Sequence, residues 1–306
     1  MTNVLFVGGG RRVSLARRFI RHDCKVFAYE IDNTAPINLC AEVIIGLKWS
    51  NENVKQDLLR VFDEYNIDLV IPLQDAATEV LSQMATDRTK IITSGADTNV
   101  TCLNKKKFER LFRDCEKISY MYPFADSAHS AVIKPIYGFG SRGIRFVESK
   151  SGKFPHSEEE VVQSRISGTE ISVDAYFNKK AELVDLVPRE RLVVQGGEVS
   201  KSITLSRDGL YETILSYTKA INNELRLVGP TCIQYIIDNK SLNPYIIEIN
   251  ARFGGGVILS LEAGLDMIDL LIREYIHDEE IRPQSSPAWK ESFGMNRHFE
   301  EYFYNG

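Results

Sequence analysis

An α/β fold is predicted, opening with a doubly wound parallel sheet and ending in antiparallel strands. Three observations lead there. Short apolar runs alternate with amphipathic helical stretches through the first hundred residues. The pattern changes character at about Thr101. Near the other end, Cys232 to Asp238 and Tyr245 to Asn250 read as two antiparallel strands around the turn Asn239-Lys240-Ser241.

The first strand is Asn3 to Val7, a continuous apolar run that ends in Gly8-Gly9-Gly10. A helix follows, with Val13, Leu15, Ala16, Phe19 and Ile20 as its apolar face. Lys25 to Tyr29 and Val43 to Leu47 are the next strands. A helix from about Asn53 to Tyr65 leads to the strand Leu69 to Pro72. Another, about Ala76 to Ala85, leads to Ile91-Ile92. Sheets of this kind bind ligands at the carboxyl ends of their strands, which makes Gly8, Gly9, Asp32 and Asp75 candidates. The glycines do not complete a dinucleotide fingerprint. A G-x-G-x-x-G motif opening at Gly8 needs glycine where Val13 stands.

From about Thr101 to Phe112 one helix is expected, basic at its start with Lys105, Lys106 and Lys107. The segment Ala131 to Gly143, AVIKPIYGFGSRG, then delivers Lys134 at the end of a short strand and continues as a Gly-rich loop. Backbone N–H groups of such a loop cradle phosphate oxygens, and the lysine adds a point charge. It is not a P-loop, because G-x-x-x-x-G-K-[ST] is absent. Val161 to Ile166, Glu170 to Phe177 and Ala181 to Val187 read as antiparallel strands, with Gly168 at a turn. Backbone groups of Arg165 and Ile166 are placed to read a base edge, and Glu170 to accept ribose hydroxyls. Arg189 and Arg191 open another strand and are candidates to face a phosphate. Asp208 to Arg226 is a helix capped by Ser206 or Asp208.

Period-2 geometry puts Glu248 and Asn250 on one face of their strand, with Gln234 beside them on the partner strand. Three oxygen donors on one patch suit a hard cation such as Mg²⁺. Arg252 and then Gly254-Gly255-Gly256 follow, a backbone bare enough for close approach of a ligand.

Composition narrows the partners. The 306 residues suffice for two or three packed units. A net charge of −5 gives no electrostatic reason to expect nucleic acid or an anionic membrane. No apolar run reaches the roughly 20 residues of a membrane span, and no basic region precedes the first apolar run as a signal peptide would require. Five scattered cysteines form no C-x-x-C, which fits a reducing cytoplasm.

Lys134 with the glycine loop, Glu170 after Gly168, and then Gln234, Glu248 and Asn250 in order resemble the ATP-grasp superfamily. The nearest likeness is to its carbamoyl-phosphate-synthetase-like amide ligases, among them the synthase that joins two amino acids in pyrrolysine biosynthesis. The resemblance covers nearly the whole chain. It implies a pre-ATP-grasp α/β domain over 1–100 and an α+β ATP-grasp domain over 101–306 with two antiparallel-sheet subdomains. The first of these is a small lid over about 116–166, the second a C-terminal subdomain over about 167–306.

By position, Lys105 or Lys106 resembles the first phosphate-binding lysine, and Lys134 the second. Gly138, Gly140, Ser141 and Gly143 belong to the loop over the phosphates, Arg165 and Ile166 to the adenine hinge, and Glu170 to the ribose. Gln234, Glu248 and Asn250 match the metal set, for Mg²⁺ or alternatively Mn²⁺, and Arg252 matches the arginine near the transferred phosphate. Pro188 to Ser200 and the region around Arg297-His298-Phe299 are similar to segments of this branch. Ile136 stands where the family often has Arg, and Ser164 where the hinge usually has Glu.

The implied activity is an ADP-forming carboxylate–amine ligase using ATP, with Lys134 touching the α- and β-phosphates and Arg252 stabilising the transferring group as catalytic residues. Its substrates would be small amino-acid-like molecules, with Asp32, Asp75, Arg252 and the glycine strip bordering their pocket. Two other readings are an ATP-binding regulator without turnover and an enzyme that releases a phosphorylated carboxylate or carbamate. Homodimers are common in this fold.

Overall fold

The computed structural model describes residues 1–126, 128–138, 143–284, 286, 289–298 and 300–304. Gly140 and Ser141 of the glycine loop, and Phe299, lie outside the described residues.

The first sheet is parallel, with strand order β3-β2-β1-β4-β5. Its strands are β1 (Thr2–Val7), β2 (Cys24–Glu30), β3 (Glu42–Ile45), β4 (Leu69–Pro72) and β5 (Lys90–Ile91). Helices α1 (Val13–Arg21), α2 (Val54–Glu64) and α3 (Asp75–Leu81) connect them. Successive residues of a strand point to opposite faces. Val4 and Phe6 accordingly join one core with Leu15, Ala16 and Phe19 of α1. Leu5 and Val7 join a second core with Val54, Leu58, Val61 and Phe62 of α2. Both faces of β1 are covered, which is why its sequence is a continuous apolar run rather than an alternating one.

The expected helix over 101–112 is two helices, α4 (Ala96–Leu103) and α5 (Lys105–Asp114). Asn104 between them is extended (φ −98°, ψ 102°), and its side chain accepts the Lys107 N–H at 3.0 Å. Asparagine caps a helix better than it continues one. The break sets Lys105 at the first turn of α5, and α6 (Glu116–Ser119) follows.

Three antiparallel strands come next, ordered β7-β6-β8: β6 (Ser130–Pro135), β7 (Arg145–Glu148) and β8 (Glu160–Ser164). The largest sheet has six strands, β13-β12-β9-β10-β11-β14. They are β9 (Gly168–Phe177), β10 (Leu183–Gln195), β11 (Glu198–Thr204), β12 (Gly229–Asp238), β13 (Pro244–Asn250) and β14 (Gly294–Asn296). Helices α7 (Gly209–Leu225), α8 (Val257–Ala263) and α9 (Met267–Tyr275) accompany it, and Asp208 is the cap of α7.

Where separate strands were expected before and after Pro188, β10 is one strand of 13 residues that carries Arg189 and Arg191. Proline is tolerated because the β11 ladder begins at the next residue, Arg189, opposite Thr204. The first sheet and the six-stranded sheet share a core. Phe19 packs edge-on between Phe6 (5.2 Å) and Phe253 (6.3 Å). Among the described residues no helix is long and apolar enough to cross a membrane.

Candidate active site

The site is built on the pairing of β12 with β13. Gln234 lies opposite Glu248, and Cys232 opposite Asn250. The register shifts between Gln234 and Tyr235, whose partner is Ile246, so Ile247 is the extra residue of a bulge. The bulge changes which face the strand presents. Ile246 and Ile249 are buried, while Glu248 and Asn250 face a cavity. In an unbroken strand Ile246 and Glu248 would share a face.

The three polar side chains touch. Glu248 Oε1 accepts from Gln234 Nε2 at 2.5 Å and from Asn250 Nδ2 at 3.0 Å. The amide oxygens turn outward to arginines: Gln234 Oε1 accepts from Arg191 Nη1 (2.6 Å) and Asn250 Oδ1 from Arg252 Nη2 (3.1 Å). Arg191 also pairs with Glu170 at 3.3 Å. Arg252 pairs with Asp75 of α3 at 2.6 Å, an ion pair that ties the six-stranded sheet to the parallel one.

Above this floor is a cavity of about 840 Å³. Lys105 and Lys134 enter it from α5 and β6, opposite Gln234 and Glu248. Gly138, Arg165, Ile166, Glu170 and Arg191 are further predicted residues on its walls. Burial pushes the Lys134 ammonium down to about 8, with Lys105 adding repulsion and Glu248 and Glu170 opposing the shift. Burial lowers Lys105 as well, while Glu248 and Asp75 act the other way. Lys105 donates to the Gly138 carbonyl at 3.3 Å. Lys106 instead turns away to the Glu158 carbonyl, so of the two only Lys105 reaches the cavity.

Other expectations are modified. The Arg165 N–H is committed to the Ser130 carbonyl at 3.0 Å, so it is not available to read a base edge as expected. Gln163 of the hinge is buried and donates to the Tyr122 hydroxyl at 2.8 Å, so it is held by the interior. Gly143 (φ +73°) turns the chain against Pro135 and does not line the cavity. Asp32 accepts from the Thr34 N–H (2.8 Å) and hydroxyl (2.6 Å) and borders no cavity described here.

A second cavity, of about 300 Å³, adjoins Gln234, Glu248, Asn250 and Arg252 and runs toward the glycine strip. Arginines crowd its far side. Arg189 is 1% exposed and pairs with the equally buried Asp174 at 2.7 Å. Arg12, from the loop after β1, donates to the Gly254 carbonyl at 3.4 Å. Arg297 donates to the Gly255 carbonyl and pairs with Glu198 at 2.9 Å. Burial pushes the Arg12 guanidinium down to about 10, with Arg252 and Arg297 repelling it and Glu198 opposing.

The glycines are needed for close packing here, not for positive φ. A Cβ on Gly254 would lie 2.8 Å from Cys232 Sγ, and one on Gly256 2.5 Å from Arg189 Nη1. Arg12, Glu198 and Arg297 were not among the sequence candidates. The one signal for Arg12 was its place just after the glycine turn of the first βα unit, where such sheets bind ligands.

The donor set fits Mg·ATP. Among the described residues no group of three or more His, Cys, Asp or Glu is placed to hold a metal, so Glu248 brings the one carboxylate of the patch. Mg²⁺ accepts this when phosphate oxygens and water supply its other positions. Rotation of the Gln234 or Asn250 amide about its last bond would turn its oxygen inward. The two lysines opposite are half-buried cations whose charge burial disfavours and an anion would favour.

The chain resembles solved structures over most of its length. Pyruvate carboxylase of Rhizobium etli, with its activator acetyl coenzyme A, is 16% identical with a TM-score of 0.71, over 95% of this chain and 30% of that one. The biotin carboxylase domain of Hydrogenobacter thermophilus 2-oxoglutarate carboxylase, in complex with MgADP, ADP and bicarbonate, gives 14% and 0.73, over 94% of this chain and 72% of that one. An L-amino acid ligase from Bacillus licheniformis gives 17% and 0.66, over 92% and 78%. At these identities the likeness is one of fold, and this chain spans under a third of the pyruvate carboxylase. Family models reach further. Residues 4–96 match the N-terminal domain of PylC-like proteins, and residues 102–256, half of the chain, match the ATP-grasp domain. With a parallel sheet leading into two antiparallel ones and this polar floor between them, the chain belongs to the ATP-grasp family.

Proposed function

We propose that the protein is an ADP-forming carboxylate–amine ligase acting on amino-acid-like substrates. The observation that carries this is the Glu248–Gln234–Asn250 patch, whose Gln234 and Glu248 face two half-buried lysines across a cavity of about 840 Å³. Lys105 and Lys134 would neutralise phosphate oxygens, and Glu170 would accept from the ribose. Glu248 and Asn250 would hold Mg²⁺ with Gln234 in support. The metal would supply positive charge that offsets the negative charge developing during phosphoryl transfer.

Substrate would enter from the smaller cavity, which opens onto Glu248 and Arg252. A carboxylate oxygen attacks the γ-phosphorus, the bond to the β-phosphate oxygen breaks, and an acyl phosphate and ADP result. An amine then attacks the acyl carbon, expels phosphate and loses a proton, leaving an amide. Arg252, held by Asp75, would stabilise the transferring group. No protein nucleophile is required. The residues over the phosphates would exclude water, which would otherwise hydrolyse the acyl phosphate. The five cysteines are all free thiols, which supports a cytoplasmic setting.

The test is ADP release from Mg·ATP across amino acids offered singly and in pairs, with mass spectrometry of the products. Release that needs two compounds, with a mass equal to their condensation, establishes the ligase. Acid-dependent ADP release without an amide would make the acyl phosphate the product. Binding of ATP with no turnover on any pair would favour a regulator.

A further inference from the structure

The smaller cavity has a surplus of arginine that the ligase chemistry does not use. The acids on and around its walls are nearly all spoken for. Asp174 holds Arg189, Asp75 holds Arg252, Glu198 holds Arg297 and Glu170 holds Arg191. Among the described residues Arg12 has only a long bond to a backbone carbonyl, with Glu198 attracting it from further off. Arg189, buried to 1% exposure, is committed to Asp174, and its Nη1 is closed off against Gly256. The guanidinium left for a ligand is therefore that of Arg12. Both Arg12 and Arg189 line the same cavity, against the strip Gly254 to Gly256.

The strands fix how far this cluster lies from the reacting end. Gly254 packs on Cys232 and Asp174, which lie opposite each other on β12 and β9. Gln234, the partner of Glu248, is two residues further along β12. Two residues of strand span roughly 7 Å. A substrate whose reacting carboxylate sits at Glu248 and Arg252 therefore presents its other end to Arg12, about the length of a small dicarboxylic acid away.

We propose that the carboxylate substrate carries a second anionic group, a carboxylate or a phosphate, held at its far end by Arg12 beside the strip Gly254 to Gly256. This rests on the ligase reading for which end reacts, but the anion site itself does not. Aspartate, glutamate and O-phosphoserine are then the fitting shapes. Arg12 acts here as a specificity-determining residue.

The experiment compares matched probes on the full chain. Glutamate is set against glutamine, aspartate against asparagine, and O-phosphoserine against serine. Binding is read by the rise in melting temperature with and without Mg·ADP, and turnover by ADP release. In the wild type, one acidic member should bind at least tenfold more tightly than its neutral partner. The better of the two acid types identifies the group as carboxylate or phosphate. Arg12→Ala should abolish that preference and leave Mg·ATP affinity unchanged, while Arg12→Lys should keep part of it.

Neutral members that bind as well as the acids would overturn the proposal. So would an acid preference that survives in Arg12→Ala, or no binding by any acid to a protein whose melting temperature Mg·ATP raises. The ligase reading fails separately: acid preference with no ADP release on any pair would remove the ligase and keep the anion site.

Discussion

The two cavities share Gln234 and Glu248 but treat charge in opposite ways. In the larger one Arg191 is paired with Glu170, but the two lysines have no carboxylate partner among the described residues. Lys134 is pushed down to about 8 by burial, and the partner of Lys105 is a carbonyl. In the smaller one each arginine but Arg12 is tied to a carboxylate. Isolated lysines are suited to a ligand that brings several negative charges of its own, and they relax toward their ordinary pKa when it arrives. Paired guanidiniums are already neutralised. What they offer is fixed geometry, and only the spare donors are open to a ligand. The first arrangement binds a polyanion; the second selects a shape.

Each half of this contrast can be broken separately. Glu248→Ala removes the carboxylate the cavities share. It should reduce Mg²⁺-dependent ADP release about 10³-fold while the far-ultraviolet circular dichroism stays native. An unchanged rate would sink the metal assignment.

Asp174→Ala attacks only the smaller cavity. It strands Arg189 as an unpaired buried charge, and unfolding titrations should show a loss of about 3–5 kcal/mol. Nucleotide affinity of the folded fraction should be unchanged. A loss below about 1 kcal/mol would mean that water reaches this pair. Lys134→Ala attacks only the larger cavity. ATP binding by calorimetry should weaken about 10–100-fold, the value of a charge-assisted contact, with stability unchanged or improved. Unaltered nucleotide affinity would count against the phosphate role of Lys134.

The smallest effect is a control on β10, at Asp185. Burial raises its carboxyl to about 6, although the Leu186 N–H donates to it at 2.7 Å. The unfolded value is about 3.9, so between these two the folded protein binds the extra proton. Stability from this group therefore falls as pH rises from about 4 to 6, and the penalty is complete above that. Asp185→Asn should flatten the fall and add up to about 2 kcal/mol at pH 7. Neither ATP nor acid binding should change. A melting curve with the same pH slope as the wild type would show that the carboxyl is solvated.

Much of this could be read from residue order, where the governing contacts are local. The βα alternation gave the parallel sheet, because apolar period alone decides strand or helix there. The hairpin brought Gln234 near Glu248, because the turn at Asn239 sets which ends of the two strands meet, although that register alone would put Gln234 opposite Ile247. The break at Asn104 was missed because a capping asparagine and a mid-helix one look alike until the backbone turns. The bulge at Ile247 was missed because an extra residue in a ladder is defined by its partner strand.

By itself, then, the sequence determined the strands, the lysine at the end of β6 and the polar floor, since each depends on neighbours a few residues apart or on one tight turn. Only the tertiary structure decided which lysine reaches the cavity, that the glycine strip serves to let Arg189 and Cys232 pack closely, and that Arg12 meets Gly254. Arg12 and Gly254 stand 242 residues apart. No periodicity links them. They meet because Phe6, Phe19 and Phe253 bring the two sheets into one core, and the charges at its rim follow from where that packing leaves them.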